Sequence, residues 1–127
     1  MPKKIIRSPK VAESKLPLSQ ATLAGNVLYT GGAVAHDARG QLVGKGDIRA
    51  QTRQVLENIK ALVEAAGGTM LDVTRTTVYL TDLANYVGMN EVYGTYFPVD
   101  PPSRATVRVD LAHPDFLVEI QATAVIG

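Results

Sequence analysis

The sequence predicts an α+β fold in which a mixed sheet carries two helices on one of its faces. Three patterns support this prediction: an amphipathic stretch that begins at Asp47, a run rich in Val, Thr and Tyr from Val73 to Leu80, and alternating apolar residues near the C-terminus. The predicted order is strands, helix, strand, helix, strand, strand, which indicates an α+β fold with a mixed sheet. We therefore predict a single domain over residues 1–127, long enough to bury its own core.

The first helix is the most clearly marked element. Asp47 is a suitable N-cap residue, and Gly67-Gly68 is a typical stop signal. Apolar residues at helical spacing form one stripe between these signals: Ile48, Val55, Ile59, Leu62, Val63 and Ala66. The spacing predicts a helix of about twenty residues.

Composition and alternation predict the strands. A short edge strand is expected around Ile5 and Ile6, a buried strand from Asn26 to Thr30, and a longer one from Val73 to Leu80. Thr81-Asp82 then caps a second, aromatic-rich helix that ends before Pro98.

Two further strands are expected at the C-terminal end, from Arg104 to Leu111 and from Phe116 to Val125. If they form a hairpin that is symmetric about its turn, Arg108 lies nearly opposite Glu119 and the two side chains pair. The helices then cover one face of the sheet, and Val, Leu, Tyr and Thr remain on the other. Self-association is the simplest way to cover such a face.

Composition excludes several classes of partner and chemistry. The formal net charge of +1 favours neither nucleic acid nor an anionic membrane, and no apolar run is long enough to span a bilayer. The absence of cysteine excludes disulfides and thiolate chemistry, and fits a reducing cytoplasm. His36 and His113 lack ligand spacing, so we expect no metal site.

Arg104 and Glu119 are the strongest candidates for chemistry. Arg104 follows the rigid segment Pro101-Pro102, and a fixed guanidinium can hold a carboxylate through two hydrogen bonds. Glu119 stands in an apolar run, where burial raises the pKa of a carboxyl and a nearby arginine lowers it. Each residue also has a purely structural interpretation, as a member of an ion pair.

Weaker candidates surround these two residues. Gly31-Gly32 follows a buried strand, so its backbone N–H groups could approach a ligand, although such a pair is more often only a turn. Asn90 on the second helix could bind a ligand or solvent. No nucleotide-binding loop or serine-hydrolase pattern is present.

Short motifs along nearly the whole chain, from about Leu16 to Ile126, resemble the RidA/YjgF family of enamine/imine deaminases. Each motif is weak alone, but their order and spacing together are specific. They are Ser19-Gln20-Ala21, Gly46-Asp47-Ile48, the helical run Gln51 to Ile59, Glu64 to Gly68, Asn90-Glu91-Val92-Tyr93, Pro102-Ser103-Arg104 and Val118-Glu119-Ile120. The segment from Ala66 to Thr74 is similar to the aminoacrylate deaminase branch of the same family.

The resemblance implies a chorismate-mutase-like fold and a homotrimer with clefts between subunits. It implies hydrolysis of 2-aminoacrylate-like or 3-aminoacrylate-like metabolites to a carbonyl acid and ammonia, without a cofactor. Arg104 matches the carboxylate-binding arginine, Glu119 the acid that positions water, and Asn90 an asparagine of the cleft. Thr106 stands where many members have cysteine, so only its backbone is expected to contribute.

Two positions depart from the family pattern. Leu18 replaces a tyrosine that helps to enclose the substrate, and Gly31 replaces a serine. These changes favour a bulkier or less polar substrate, or a trimer that binds a metabolite without converting it. A ribonuclease and a holdase-type chaperone are further alternatives, and the near-neutral charge argues against the ribonuclease.

Overall fold

In the computed structural model, which describes residues 2–127, six strands form one sheet and two α-helices pack against it. The strands are β1 (Lys4–Ile6), β2 (Ala21–Ala24), β3 (Val27–Thr30), β4 (Val73–Leu80), β5 (Ser103–Arg108) and β6 (Val118–Val125), and the helices are α1 (Ile48–Ala65) and α2 (Tyr86–Tyr96). The strand order is β1-β2-β3-β6-β4-β5, and the pairing is antiparallel except between β4 and β5. The predicted α+β fold with a mixed sheet is confirmed. Within residues 2–127, neither helix has the length and apolarity needed to cross a membrane.

Helix α1 begins and ends at its sequence signals. The Asp47 side chain accepts a hydrogen bond from the N–H of Ala50 at 3.1 Å. At the other end Gly67 has a φ of 92°, and the N–H of Gly68 donates to the carbonyl of Val63 at 2.9 Å. Glycine adopts this positive φ without a steric penalty, which explains why the helix ends at the glycine pair.

The expected C-terminal hairpin is wrong, because β4 lies between β5 and β6. Helix α2 returns the chain to the start of β4, so β5 begins beside Arg75 and runs parallel to β4. Arg108 is aligned with Leu80, whereas Glu119 is aligned with Tyr79. Neighbouring residues of a strand point to opposite faces, so Arg108 and Glu119 cannot pair across the sheet.

Strand β2 was not predicted from the sequence. It contains a single β-branched residue, Thr22, so its composition does not indicate a strand. It forms a hairpin with β3 through the two-residue turn Gly25-Asn26, and Gly25 has a φ of 60°. Pairing with β1 and β3 therefore stabilises a segment that has little strand preference of its own.

One face of the sheet packs against the helices, and the other is exposed. The face toward the helices forms the core with α1 and α2, through side chains that include Leu28, Leu56, Ile59, Val78, Leu80, Met89, Val118 and Ile120. On the opposite face, which we call the open face, four apolar side chains are 37–50% exposed: Ile5, Tyr29, Val107 and Val125. The prediction that the helices cover only one face is confirmed.

Candidate functional site

The side chain of Arg104 lies between β5 and α2, on the helix-covered face of the sheet. Its Nη1 donates to Oδ1 of Asn90 at 2.7 Å, and its Nη2 donates to the hydroxyl of Tyr86 at 3.3 Å. The guanidinium carbon also lies 4.8 Å from the ring centre of Tyr93. Positions 86, 90 and 93 share one face of α2, so the helix presents all three side chains to the guanidinium. We call Arg104, Asn90, Tyr86 and Tyr93 the arginine half-site.

The ring of Tyr93 packs against the guanidinium of Arg104. Its hydroxyl is hydrogen-bonded to the hydroxyl of Thr76 at 2.6 Å. Burial raises the pKa of Tyr93, against smaller opposing effects of the Thr76 hydrogen bond and the Arg104 charge, so the ring stays neutral and presents its face to the cation. Within residues 2–127 no carboxylate lies within ion-pairing distance of Arg104. The guanidinium therefore has no acidic partner among these residues and has N–H donors free for a ligand.

Thr106 lies on the same surface of β5 as Arg104. It is aligned with Val78, as Arg104 is aligned with Thr76, so both side chains face the helices. Both are half-buried. Thr106 thus lies beside the arginine half-site, outside its hydrogen-bonded group.

Glu119 lies on the open face, next to the chain that leaves β3. It lines a cavity of about 420 Å³ together with Leu18, Gly31, Gly32 and Phe116. A side chain at Gly32 would collide with the carboxylate of Glu119, so the acid approaches the backbone as closely as only a glycine permits. We call Glu119, Gly31 and Gly32 the glutamate half-site.

The carboxylate of Glu119 forms no ion pair within residues 2–127. Burial raises the pKa of Glu119 above its ordinary value of 4.5, because removal from water disfavours the charged form. In the same part of the chain, the N–H of Gly31 donates to the carbonyl of Gln20 at 2.9 Å, whereas the N–H of Gly32 has no backbone partner. The glutamate half-site therefore offers one acid and one free backbone donor in the same place.

Leu18 forms the rim of the cavity and is 59% exposed. It also borders a second, more open cavity of about 530 Å³ that reaches Tyr29 on the open face. Gln20 fixes the position of the segment that contains Leu18. Its side chain accepts a hydrogen bond from the N–H of Ser8 at 2.9 Å and donates one to the carbonyl of Val11 at 3.2 Å. With leucine at position 18 and glycine at position 31, this wall of the cavity has no hydroxyl at either place.

The two half-sites lie on opposite faces of the sheet. Arg104 is aligned with Thr76 of β4, whereas Glu119 is aligned with Tyr79, three residues further along the same strand. Residues three apart on a strand point to opposite faces. A single chain therefore assembles each half-site but does not join the two.

The residues assigned to a site from the sequence accordingly fall into two groups. The structure joins Arg104 to Asn90 by a hydrogen bond. It places Glu119, Leu18 and Gly31 along one cavity. Within residues 2–127 no hydrogen bond or ion pair joins the two groups, because the sheet separates them.

Two contributors to the half-sites, Tyr86 and Tyr93, were not assigned to a site from the sequence, and Gly32 was a candidate only through its backbone N–H. The signal for the tyrosines was their helical spacing with Asn90, which places all three side chains on one face of α2. The signal for Gly32 was the tandem glycine, but the need for a glycine at this position arises from Glu119, 87 residues later in the chain. Sequence spacing does not reveal such a contact.

His36 and His113 make packing and hydrogen-bonding contacts within the fold. Both rings pack against Phe116, with centroid distances of 5.2 Å. Nδ1 of His113 accepts a hydrogen bond from the N–H of Asp115 at 3.1 Å. Over residues 2–127 there is no group of three or more His, Cys, Asp or Glu side chains placed to hold a metal ion.

The fold and the two half-sites define a small α+β protein with a six-stranded mixed sheet. The sequence model of the family described as Endoribonuclease L-PSP matches residues 9–126. RidA from the Antarctic bacterium Psychrobacter sp. is 35% identical, with a TM-score of 0.90 over 97% of this chain and 99% of that one. The YjgF gene product of E. coli is 33% identical, with a TM-score of 0.89 over 96% and 98% of the two chains.

E. coli TdcF, solved with bound serine, is also 33% identical, and has a TM-score of 0.90 over 98% of this chain and 99% of its own. These similarities cover almost the full length of both chains in each comparison. The chain belongs to the RidA/YjgF family, and the expected family fold is confirmed.

Proposed function

We propose that this protein is a cofactor-free deaminase that hydrolyses 2-imino acids and their enamine tautomers to 2-keto acids and ammonia. The observation that carries the proposal is the guanidinium of Arg104, which is held by Asn90 and Tyr93 but has no acidic partner within residues 2–127. A planar guanidinium binds a carboxylate through two parallel hydrogen bonds. In a 2-imino acid the carboxylate is attached to the carbon that water attacks, so holding one fixes the position of the other.

We propose further that the reacting centre forms between protomers of a homotrimer. The arginine half-site of one protomer would meet the glutamate half-site of the next. Two observations support this: the half-sites lie on opposite faces of the sheet, and the open face exposes apolar side chains that include Tyr29 and Val107. A cyclic assembly brings different surfaces of neighbouring chains together, which one chain cannot do alone.

The reaction would proceed by water addition to the imine carbon. Arg104 and the free N–H of Gly32 bind the substrate carboxylate, and Glu119 orients a water molecule. As the water oxygen forms its bond to carbon, Glu119 accepts a proton from the water and the C=N π electrons move to nitrogen. Glu119 passes this proton to the nitrogen, which gives a carbinolamine with one hydroxyl and one amino group. Glu119 then takes the hydroxyl proton and transfers it to the nitrogen as the C–N bond breaks, so that ammonia leaves, the carbonyl of the keto acid forms and Glu119 is again ionised. Overall, imine and water give keto acid and ammonia.

The surroundings of Glu119 suit this task. Because burial raises its pKa, the carboxyl can both accept and return a proton closer to neutral pH than an exposed glutamate. Positioning and proton transfer supply the whole rate gain in this scheme, since no covalent intermediate with the protein is involved.

The apolar wall of the cavity supports a preference among substrates. Leu18 and Gly31 offer no hydroxyl, and Phe116 adds a further apolar surface. We propose that imino acids with a larger apolar side chain are better substrates than 2-aminoacrylate or 3-aminoacrylate, because burying apolar surface contributes roughly 25 cal/mol per Å².

The decisive experiment measures ammonia release from freshly generated imino acids. Arg104→Ala and Glu119→Gln should each lower the rate of ammonia release roughly 10²- to 10⁴-fold, to a residual rate that stays measurable at high enzyme concentration. A mixture of the two variants, unfolded and refolded together, should recover activity, because about one quarter of the interfaces in a randomly mixed cyclic assembly combine an intact arginine with an intact glutamate. Wild-type activity in Arg104→Ala would refute the carboxylate anchor. No recovery in a properly reassembled mixture would refute the composite site.

A non-catalytic metabolite-binding trimer is the second candidate. The missing hydroxyls at positions 18 and 31 favour it, and the relative TdcF was solved with bound serine, a small carboxylate-bearing ligand. Calorimetry separates the two candidates. Binding of imino or keto acids that depends on Arg104, without ammonia release, supports the binding protein. RNA cleavage by pure Arg104→Ala protein would instead indicate a nuclease.

A further inference from the structure

Two buried amide side chains project from α1 into an otherwise largely apolar interface. Gln51 is 0% exposed and Asn58 is 5% exposed. They are seven residues apart, which places them on the same face of the helix. Buried amides are uncommon unless every polar atom has a partner, so their hydrogen bonds indicate what they hold in place.

Gln51 fastens the chain immediately before Glu119. Its Nε2 donates to the carbonyls of Gly44 at 3.2 Å and Asp115 at 2.9 Å. Its Oε1 accepts from the N–H of Leu117 at 2.9 Å. Leu117 is two residues before Glu119, so this single side chain fixes the entry into β6.

Asn58 fastens the opposite wall of the same cavity. Its Nδ2 donates to the carbonyls of Val34 at 3.0 Å and His36 at 2.9 Å, and its Oδ1 accepts from Gln54 at 2.8 Å. Val34 follows Ala33, which exchanges two backbone hydrogen bonds with Ile120 at 2.8 and 3.1 Å. Asn58 thereby holds the segment that contains Gly32 against the residue that follows Glu119.

We propose that Gln51 and Asn58 are positioning residues that together fix the Glu119 carboxylate against Gly32. The two amides hold both backbone segments that meet at the glutamate half-site, one on each side of the acid. Neither side chain is needed to touch the substrate. The inference rests on the proposed deaminase function, because Glu119 is the acid whose placement matters.

The structure offers two substitutions and a matched control. Gln51→Met and Asn58→Leu keep the approximate volume of each side chain and remove its hydrogen bonds. Thr52→Val is the control, since Thr52 is equally buried on the same helix and its hydroxyl has no hydrogen-bond partner within residues 2–127. Each change is made in the wild type and in a Glu119→Gln background, with folding checked by circular dichroism.

A double-mutant comparison distinguishes positioning from general destabilisation. We expect Gln51→Met and Asn58→Leu to lower kcat about 100-fold in the wild type, the usual cost of a misplacement near 1 Å, with little change in KM. In the Glu119→Gln background they should lower kcat further by less than about 3-fold, because the group they position is already lost. Equal losses in both backgrounds, or a loss of the same size in Thr52→Val, would overturn the proposal.

A second measurement needs no activity. In NMR titrations of the Glu119 carboxyl, Gln51→Met should move the titration midpoint toward 4.5, the ordinary value for glutamate, while Thr52→Val leaves it unchanged. An unchanged midpoint in Gln51→Met overturns the positioning role. If Gln51→Met does not fold, the same titration of Asn58→Leu takes its place, since Asn58 holds the segment on the other side of the Glu119 carboxylate. A protein without deaminase activity whose midpoint moves as expected refutes the proposed function but supports the positioning of Glu119.

Discussion

Replacing Gly32 by alanine tests the geometry of the glutamate half-site most directly. The new Cβ would lie 2.7 Å from the carboxyl carbon of Glu119, whereas non-bonded carbons rest at about 3.5–4.0 Å. The φ of Gly32 lies outside the left-handed region, so the backbone itself accepts alanine. The collision is with the end of a flexible side chain, so the carboxylate should move by roughly 1 Å while the fold persists.

A displacement of that size should lower kcat/KM for imino acid hydrolysis about 100-fold, which corresponds to about 2.7 kcal/mol of activation free energy. The assay follows ammonia release by coupled glutamate dehydrogenase, and thermal unfolding checks stability. Gly94→Ala is the control, because a Cβ at Gly94 in α2 meets nothing within 4 Å. Unchanged activity in Gly32→Ala, with the fold intact, would refute the role of the Gly32–Glu119 contact.

Four further predictions concern the remaining parts of the two half-sites. Arg104→Lys should lower kcat/KM roughly 10- to 100-fold in steady-state kinetics, because one charge-assisted hydrogen bond is lost. Thr76→Val should lower the free energy of unfolding by about 1–3 kcal/mol in urea titrations, since it leaves the buried Tyr93 hydroxyl without its partner. Leu18→Tyr should shift the ratio of kcat/KM values about tenfold toward 2-aminoacrylate and away from a leucine-derived imine, because it narrows the cavity. As pH rises from 4.5 through the raised pKa of Glu119, the free energy of unfolding of the wild type should fall relative to that of Glu119→Gln. In this pH range Glu119 keeps its proton in the folded chain but has lost it in the unfolded chain, so rising pH favours unfolding.

Each of these has a clear contrary result. Equal rates for Arg104→Lys and Arg108→Lys would mean that the guanidinium fork has no special role. An unfolding free energy that is unchanged in Thr76→Val would mean that the Tyr93 hydroxyl finds another partner. An unchanged substrate ratio in Leu18→Tyr would place the substrate side chain elsewhere. Identical pH dependence of stability in wild type and Glu119→Gln would mean that the pKa of Glu119 is not raised on folding.

Local signals in the sequence predicted the elements that depend on local physics. Asp47 and Gly67 determine the ends of α1 through a side-chain cap and a positive φ, and both are visible in the sequence. The order of the strands was less accessible. The alternating apolar residues of β5 and β6 suggested a hairpin. The sequence pattern of β4 is the same whether β4 lies at the edge of the sheet or between β5 and β6, so it did not reveal that β4 separates them.

The candidate residues of the site could be named from the sequence, but their arrangement could not. Residue type and local context indicated Arg104, Asn90 and Glu119, and the family resemblance implied a role for each, without indicating which of them meet. Arg104 contacts Asn90 because β5 runs parallel to β4 and lies against α2. The predicted hairpin of β5 with β6 does not include this parallel pairing. The close approach of Glu119 to Gly32 likewise depends on a bridge between Ala33 and Ile120, far apart in the sequence.

The separation of the half-sites has a chemical consequence for the proposed mechanism. If Arg104 and Glu119 lay in contact within one chain, the guanidinium would lower the pKa of the carboxyl, and the ion pair would occupy the donors that a substrate needs. With the sheet between them, burial alone acts on Glu119 and raises its pKa, and Arg104 keeps free donors. In the proposed assembly the substrate carboxylate would enter between the two and neutralise the arginine first. The acid would then remain available for proton transfer, which is the condition that hydrolysis by positioned water requires.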